Sequence, residues 1–279
     1  MASVTGLYIY PVKSMAAIAL SEATLTPEGL AMDRRWMVAT DDGRFLTQRV
    51  CPAMARLQVA LTDSHLIIRG DSGEALQVPI DQTGPRAPVT VFSETLEGID
   101  QGDAASEWLT HQLGPHKGLP LRLYRVPEDN ARHVDPDWLQ DDEEVMTGFA
   151  DGFPFLVALE SSLDALNQTL GEAQVPMNRF RPNIVIAGSD LSAWQEHTCA
   201  MISSTGWQLR LCKPCQRCKV TTVDQQTGTP TGKEPLKSLA AMKHVATPGA
   251  YFGENAVLIR GDKATIAVGD SIELDDARQ

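Results

Sequence analysis

The sequence has no long hydrophobic run, no low-complexity tract and few cysteines. No stretch approaches the ~18 consecutive apolar residues that a membrane-spanning helix requires. The N-terminus enters a strand-like run at residues 7–10 and lacks the charged and apolar regions of a secretory signal peptide. The five cysteines are an odd number, and three lie within seven residues, which is a poor disulfide framework. These absences predict a soluble, cytoplasmic protein without a membrane partner.

Familiar catalytic and nucleotide-binding signatures are also missing. There is no Gly-x-Ser-x-Gly nucleophile motif, no phosphate loop and no dinucleotide fingerprint. The net charge of −12 argues against a nucleic-acid polymer as partner. Basic residues nevertheless concentrate in acid-free patches, which are Arg34 with Arg35, Arg179 with Arg181, and Arg210, Lys213, Arg217 and Lys219 around the cysteines. These patches are interpreted either as a small-anion site or as solvated surface charge.

The pattern of short β-rich runs and few helical segments predicts an α+β fold that is predominantly β, with barrel-like sheets. Predicted strands cover residues 4–10, 18–26, 36–39, 44–48, 57–61, 65–69, 75–78, 89–92, 155–159, 180–186, 207–211, 218–223, 256–259, 265–267 and 271–274. Predicted helices cover residues 103–113, 160–170 and 235–243. A polar loop over residues 127–142 predicts a domain boundary, with domains at 1–125 and 126–279.

The most informative segment is CKPCQRC, residues 212–218, in which cations separate three cysteines. Nearby cations favour the nucleophilic, metal-binding thiolate. Four interpretations remain open: a zinc or iron–sulfur site, a Cys-x-x-Cys redox pair, one thiolate on a thiophilic metal held by a cofactor, or buried unreactive thiols. A zinc or cluster site lacks a fourth ligand in this motif. Cys218 is the best candidate for a single thiolate, because the chain is predicted to enter a strand there.

Three further segments place anion-binding groups at predicted strand ends. Lys13 and Ser14 follow the first strand, and both side chains can hold phosphate or carboxylate. Strand alternation places Arg34 and Trp36 on one face, so that one arginine of the DRRW motif points into a cleft. The NRFRPN motif, residues 178–183, combines arginine and asparagine in a possible anion clamp, or forms only a turn.

Taken together, these motifs resemble the MOSC-domain family with its MOSC N-terminal β-barrel domain, as in bacterial YcbX-like proteins and mitochondrial amidoxime-reducing components. In the first half the resemblance rests on YPVKS (residues 10–14), DRRW (33–36) and FLTQR (45–49). In the second half it rests on FADGFPF (149–155), NRFRPN (178–183), CQRC (215–218), TTVD (221–224), KEPL (233–236) and VGD (268–270). The shared order and spacing cover nearly the whole chain.

The resemblance implies a molybdenum cofactor, Mo-molybdopterin, and the reduction of N-hydroxylated compounds to amines, amidines or bases. It assigns metal ligation and catalysis to Cys218, and cofactor binding to Lys13, Ser14, Arg34, Arg181, Asn183 and Asn255. It implies a separate electron donor, which is a ferredoxin-, flavodoxin reductase- or cytochrome b5-like protein, because the chain shows no ferredoxin-type cysteine set. The alternative is a non-catalytic module that binds or carries molybdenum cofactor or sulfur.

Overall fold

The computed structural model describes residues 1–71, 73–81, 83–129, 132–140 and 143–275. Its first half contains eleven strands within these ranges, namely β1 (Ala2–Ile9), β2 (Ile18–Leu20), β3 (Glu22–Thr26), β4 (Gly29–Leu30), β5 (Trp36–Thr40), β6 (Gln58–Leu61), β7 (His65–Arg69), β8 (Ala75–Pro79), β9 (Arg86–Val91), β10 (Glu94–Asp100) and β11 (Leu121–Arg125). The predicted boundary loop at residues 127–142 lies partly outside the described residues.

The second half adds seven described strands, namely β12 (Phe155–Leu159), β13 (Ile184–Ala187), β14 (Met201–Ser204), β15 (Trp207–Gln216), β16 (Tyr251–Arg260), β17 (Thr265–Ala267) and β18 (Ser271–Asp275). The α-helices of the described ranges are α1 (Asp103–Leu113), α2 (Glu160–Leu170) and α3 (Leu236–Met242). Short 3-10 helices lie at Pro52–Arg56, Pro136–Trp138, Gly171–Ala173, Met177–Arg179, Gln195–His197 and Lys219–Thr222.

Seven strands close into a barrel in the order β1-β13-β12-β16-β15-β14-β18, and β18 pairs again with β1. All pairings are antiparallel except β12 with β13. Inward-facing apolar side chains fill the barrel, including Phe155, Val157, Trp207 and Leu209, all of which are buried. The barrel therefore contains both the first strand and the last described strand of the chain.

Smaller sheets lie beside this barrel: β5-β11-β10-β9 and β6-β7-β8 from the first half, and β17-β3-β4, in which β17 comes from the second half. Helix α1 packs on the first half, and Leu109 joins a buried cluster with Trp36, Leu66 and Leu123. The predicted fold class, predominantly β with barrels and few short helices, is confirmed. The division at residues 125 and 126 stays a prediction. Strand β1 belongs to the barrel of the second half.

Glycine at position 253 is required by both backbone conformation and space. Gly253 lies in β16 with φ +72°, and a Cβ atom there would stand 2.7 Å from the carbonyl oxygen of Val157. We expect Gly253→Ala to lower the free energy of unfolding by about 2–3 kcal/mol, measured by denaturant titration. Gly206→Ala is the control, because Gly206 also has positive φ but a Cβ would meet nothing within 4 Å. Equal losses in the two variants would contradict a steric role for Gly253.

None of the helices in the described ranges is both long and apolar enough to cross a membrane.

Candidate functional site

One cavity of about 290 Å³ brings together all seven residues that the sequence predicts for the site. It lies where loops of the first half meet one end of the barrel. Its lining includes Lys13, Ser14 and Arg34 from the first half, Arg181 and Asn183 before β13, Cys218 after β15, and Asn255 in β16. The structure thus gathers positions separated by more than 200 residues. Their roles toward a cofactor stay predictions.

Cys218 lies at a turn that its own downstream residues stabilise. Strand β15 ends at Gln216, and a 3-10 helix begins at Lys219. The hydroxyl of Thr221 donates to the carbonyl of Cys218 at 2.9 Å, and the hydroxyl of Thr222 donates to that of Lys219 at 2.8 Å. The predicted strand at 218–223 is therefore wrong, because these side-chain bonds favour a tight turn over an extended ladder. Cys218 is half-buried and lines the cavity.

Three residues of the lining adopt a left-handed backbone conformation that non-glycine residues rarely use. Their φ angles are +68° at Ser14, +47° at Arg34 and +55° at Arg181. Such conformations cost about 1–3 kcal/mol each and persist where surrounding contacts hold them, often at ligand-binding sites. The structure therefore concentrates three strained backbone positions in one cavity.

The ring of Tyr10 holds two of the arginines in place. The guanidinium carbons of Arg181 and Arg34 lie 4.1 Å and 4.6 Å from its ring centre. Arg34 also forms an ion pair with Asp33 and donates to Asn183 Oδ1 at 2.9 Å. Burial lowers the pKa of Arg34, but Asp33, Tyr10 and Asp151 together raise it by more, so the group remains a cation. Stacking and charge pairing together orient both guanidinium groups at the cavity.

The two arginines of the DRRW motif point to different surroundings, as the sequence predicts, although strand alternation is not the cause. Arg34 lines the cavity, whereas Arg35 forms an ion pair with Glu28. Strand alternation does not cause this, because β5 begins only at Trp36 and Arg34 lies in the preceding turn.

The cavity is strongly cationic within an acidic protein. Among the described lining residues, six are basic and Asp151 is the one acid. The basic residues are Lys13, Arg34, Arg49, Arg181, Lys213 and Arg217. A positive cavity in a chain of net charge −12 favours an anionic ligand over solvated surface charge.

Lys13 and Asp151 form an ion pair inside this cavity, and the Lys13 ammonium also donates to the Phe149 carbonyl at 2.7 Å. Burial lowers the pKa of Lys13, and Asp151 partly opposes that change. Desolvation would raise the pKa of Asp151, but Lys13, Arg49 and Arg34 together lower it by more. Burial lowers the pKa of Arg181 to about 10. Near neutral pH the cavity therefore holds ionised groups with an excess of positive charge.

The three clustered cysteines take different positions. Cys215 and Cys218 line the cavity, whereas Cys212 lies outside its lining. Burial raises the pKa of Cys215, although the guanidinium of Arg217 opposes this change. Across the described residues, no group of three or more histidine, cysteine or acidic side chains could hold a metal ion. The clustered cysteines therefore do not form a three-thiol group in the described part of the chain.

Asp151 and Thr47 also line the cavity, and the sequence alone does not single them out. Asp151 belongs to the FADGFPF motif, so its position in a shared motif was the available signal. Its ion pair with Lys13 joins residues 138 positions apart, and such a contact leaves no local pattern.

Asp224 stabilises the loop that follows Cys218. Its carboxylate accepts from the backbone N–H groups of Gln226 and Thr227 at 3.0 Å and 2.9 Å, and from Arg179 at 2.9 Å. The bond from Thr227 is the main cause that lowers the pKa of Asp224. We expect Asp224→Asn to lower the free energy of unfolding by about 1–2 kcal/mol near neutral pH.

The pH dependence of that loss has a definite sign. A lowered folded-state pKa means that the ionised carboxylate stabilises the fold above its unfolded pKa, and that this stability is lost as pH falls through the folded pKa. The difference between wild type and Asp224→Asn should therefore vanish in acid, as measured by denaturant titration across pH. Asp164→Asn, on an exposed position of α2, is the control and should show little difference at any pH. A loss in Asp224→Asn that stays constant into acid would contradict the role of the charge.

Comparison with known proteins shows the family of this chain. Residues 1–116 match the MOSC N-terminal beta barrel domain, and residues 145–273 match the MOSC domain. The chain is 32% identical to mitochondrial amidoxime-reducing component 1 of Homo sapiens, over 98% of this chain and 82% of that protein. The chain belongs to the MOSC family of the amidoxime-reducing components. The resemblance seen in the motifs is thereby confirmed.

Other relatives of this MOSC protein have similar identity. Component 1 of Danio rerio is 33% identical over 85% of this chain and 73% of that protein. Mitochondrial amidoxime reducing component 2 of Bos taurus is 31% identical over 86% of this chain and 72% of that protein. These relatives are named for the reduction of amidoximes.

The names of these relatives contradict one prediction made from the sequence. The cytoplasmic location predicted from the sequence is contradicted, because these relatives are named mitochondrial proteins. The prediction relied on the missing secretory signal, and that absence does not distinguish the cytoplasm from other compartments outside the secretory route.

Proposed function

We propose that this MOSC protein is a molybdenum-cofactor-dependent reductase of N-hydroxylated compounds, including N-hydroxylated bases, amidoximes and hydroxylamines. The observation that supports it most is a cationic cavity that contains all seven predicted residues, including the Cys218 thiol. The names of the relatives support the same class of reaction.

The residues present fit such a cofactor. The cavity is rich in donors and cations, as an anionic ligand with a phosphate group requires. Arg217 lines the cavity, and its Nη groups donate hydrogen bonds to Cys215 Sγ and to the carbonyl of Phe180. Its buried Nε has no hydrogen-bond partner among the described residues. Cys218 supplies a soft sulfur ligand of the kind that thiophilic metals prefer.

In this proposal Cys218 binds the molybdenum, and the other predicted residues hold the pterin and its phosphate. These are Lys13, Ser14, Arg34, Arg181, Asn183 and Asn255. When bound, the cofactor supplies two-electron redox chemistry. Asp151 is the one carboxylate of the described lining, so it accepts hydrogen bonds from the N–H or O–H groups of a substrate. Phe153 and Phe155 provide apolar lining that limits water around the reacting group.

The reduction requires two electrons per substrate, and we propose that a separate electron-transfer protein supplies them. Ferredoxin-like, flavodoxin reductase-like and cytochrome b5-like proteins are the candidate classes. A small-molecule N-hydroxylated substrate then enters from the open side of the cavity.

A reductase assay distinguishes this function from the alternative of a cofactor or sulfur carrier. Purified protein with bound cofactor is mixed with a chemically reduced viologen dye and an N-hydroxylated purine base, and the reduced base is quantified by chromatography. We expect turnover by the loaded protein and none after cofactor removal. Bound molybdenum and pterin without turnover of a base, an amidoxime or a hydroxylamine would favour the carrier.

A further inference from the structure

Gln48 is a buried amide that lies behind the cavity wall. Its side chain is inaccessible to solvent, and its Nε2 donates to the carbonyl of Ser14 at 2.8 Å. The same amide exchanges two hydrogen bonds with Gln225, at 3.0 Å and 2.9 Å. The two glutamines are 177 residues apart and come from the two halves of the chain. This reciprocal pair, hereafter the Gln48–Gln225 pair, joins the halves directly at the site.

The far side of the pair contacts Arg181. Gln225 Oε1 accepts from Arg181 Nη1 at 3.2 Å, while Gln225 Nε2 also donates to the carbonyl of Val223 at 3.0 Å. The acceptor carbonyls of Ser14 and Val223 fix which end of each amide is the donor. A continuous hydrogen-bonded path therefore runs from Ser14 through both glutamines to Arg181.

Both ends of this path are strained cavity residues. Ser14 and Arg181 line the cavity and have left-handed backbones, at φ +68° and +55°. Because each conformation is unfavourable by itself, neighbouring contacts have to hold it. The Gln48–Gln225 pair supplies one such contact to the backbone of Ser14 and one to the side chain of Arg181.

Packing alone does not account for two amides at this position. Replacing both partners of a buried hydrogen bond with apolar groups of similar shape is often neutral for stability. A buried amide that loses its partner, in contrast, leaves a desolvated polar group. The amides are therefore suited to fixing geometry, because their donors and acceptors set the positions of Ser14 and Arg181 relative to each other.

We infer that the Gln48–Gln225 pair is a positioning element that holds Ser14 and Arg181 in register for the anionic group of the bound cofactor. Neither glutamine needs to touch the cofactor in this role. The inference rests on the proposed function, since it names residues that organise the same site. It also couples the two halves of the chain to cofactor retention.

Gln48→Glu tests the inference with almost no change in shape. The carboxylate would face two acceptor oxygens, the Ser14 carbonyl and Gln225 Oε1, and would lose both donors. We expect pterin and molybdenum to dissociate about tenfold or more faster than from wild type. Protonation restores a donor, so the defect should shrink from about pH 8 to about pH 6, because burial beside two acceptors raises the pKa of the new carboxyl. A purely structural defect would not follow that profile.

Gln101→Glu is the matched control. Gln101 is half-buried, donates to the Ile99 carbonyl at 3.0 Å and lies outside the cavity lining. The Gln101→Glu variant introduces the same charge, and its rate of cofactor release should match that of wild type at each pH. Release from Gln48→Glu at the wild-type rate, or a defect of equal size in Gln101→Glu, would overturn the inference.

The outcomes separate the inference from the proposed function. Wild-type protein without molybdenum and pterin would contradict the function. The pair is then tested by calorimetry with inorganic pyrophosphate and the unloaded protein. The expected result is about tenfold weaker binding to Gln48→Glu near pH 8, with recovery near pH 6. Equal pyrophosphate affinity in wild type and Gln48→Glu would overturn the inference.

Discussion

Replacing Cys218 with alanine should lower kcat for the reduction of an N-hydroxylated substrate by at least about a hundredfold. Mutating a residue that only hydrogen-bonds to a metal ligand already lowers metal affinity or activity by about 10–100-fold. Cys218 is proposed as the ligand itself, so its loss should have at least that effect. Molybdenum content should fall in the same variant, while pterin is retained in part through the basic residues of the cavity. Steady-state kinetics with metal analysis of the same preparation provide the measurement.

Two other cysteines make this experiment discriminating. Cys212→Ala is the control, because Cys212 lies outside the cavity lining and should leave both kcat and molybdenum near wild type. Cys215→Ala separates the proposed ligand from a Cys-x-x-Cys redox pair. A redox pair requires both thiols, so it predicts equal losses in Cys215→Ala and Cys218→Ala. Full activity in Cys218→Ala would contradict the proposal directly.

Replacing Arg34 with methionine should reduce both cofactor content and stability. The Asp33 side chain is only 3% exposed, and without Arg34 it becomes a buried carboxylate that has lost its charged partner. Loss of one partner from a buried ion pair typically costs about 3–5 kcal/mol of unfolding free energy. Cofactor content should fall as well, because Asn183 and the Tyr10 ring lose the guanidinium that they orient. Denaturant titration and pterin quantification measure the two effects.

Arg35→Met and Arg34→Lys separate stability from binding. Arg35 is adjacent, pairs with the partly exposed Glu28 and lies outside the lining, so its variant should keep wild-type cofactor content. Arg34→Lys keeps the positive charge beside Asp33 but lacks the planar guanidinium group. It should therefore recover most of the stability that Arg34→Met loses, while its cofactor content stays reduced. If Arg34→Lys recovered cofactor content completely, the guanidinium geometry would have no role in binding.

Local sequence patterns predicted the elements whose periodicity is strong. Helices α1 and α2 and strands β7, β12 and β17 have the predicted bounds. Strand β10 was missed because its sequence, ETLEGID, places polar residues and a glycine where apolar alternation was expected. The predicted strand at 44–48 forms only isolated bridges at Arg44 and Phe45.

The site was predicted to the extent that shared motifs contain its residues. Those motifs supplied Lys13, Arg34, Arg181 and Cys218 without showing how they meet. The sequence predicts a strand after Cys218 because Val220, Thr221, Thr222 and Val223 are β-branched, and the side-chain hydroxyl bonds reverse that preference.

Contacts between the two halves of the chain could not be predicted from one sequence. The Lys13–Asp151 ion pair and the Gln48–Gln225 pair join positions 138 and 177 residues apart. Their residue types are ordinary for surface loops, and only the fold shows that they are partners. The left-handed backbones of Ser14 and Arg181 are equally invisible, because no glycine marks these positions.

We propose that the cationic cavity holds a molybdenum cofactor through the Cys218 thiolate. The most direct measurement is the molar ratio of molybdenum and of pterin to protein in one purified sample of the wild-type chain. We expect nearly one molybdenum and one pterin per chain, with molybdenum lost in Cys218→Ala. Abundant zinc with neither molybdenum nor pterin would contradict it.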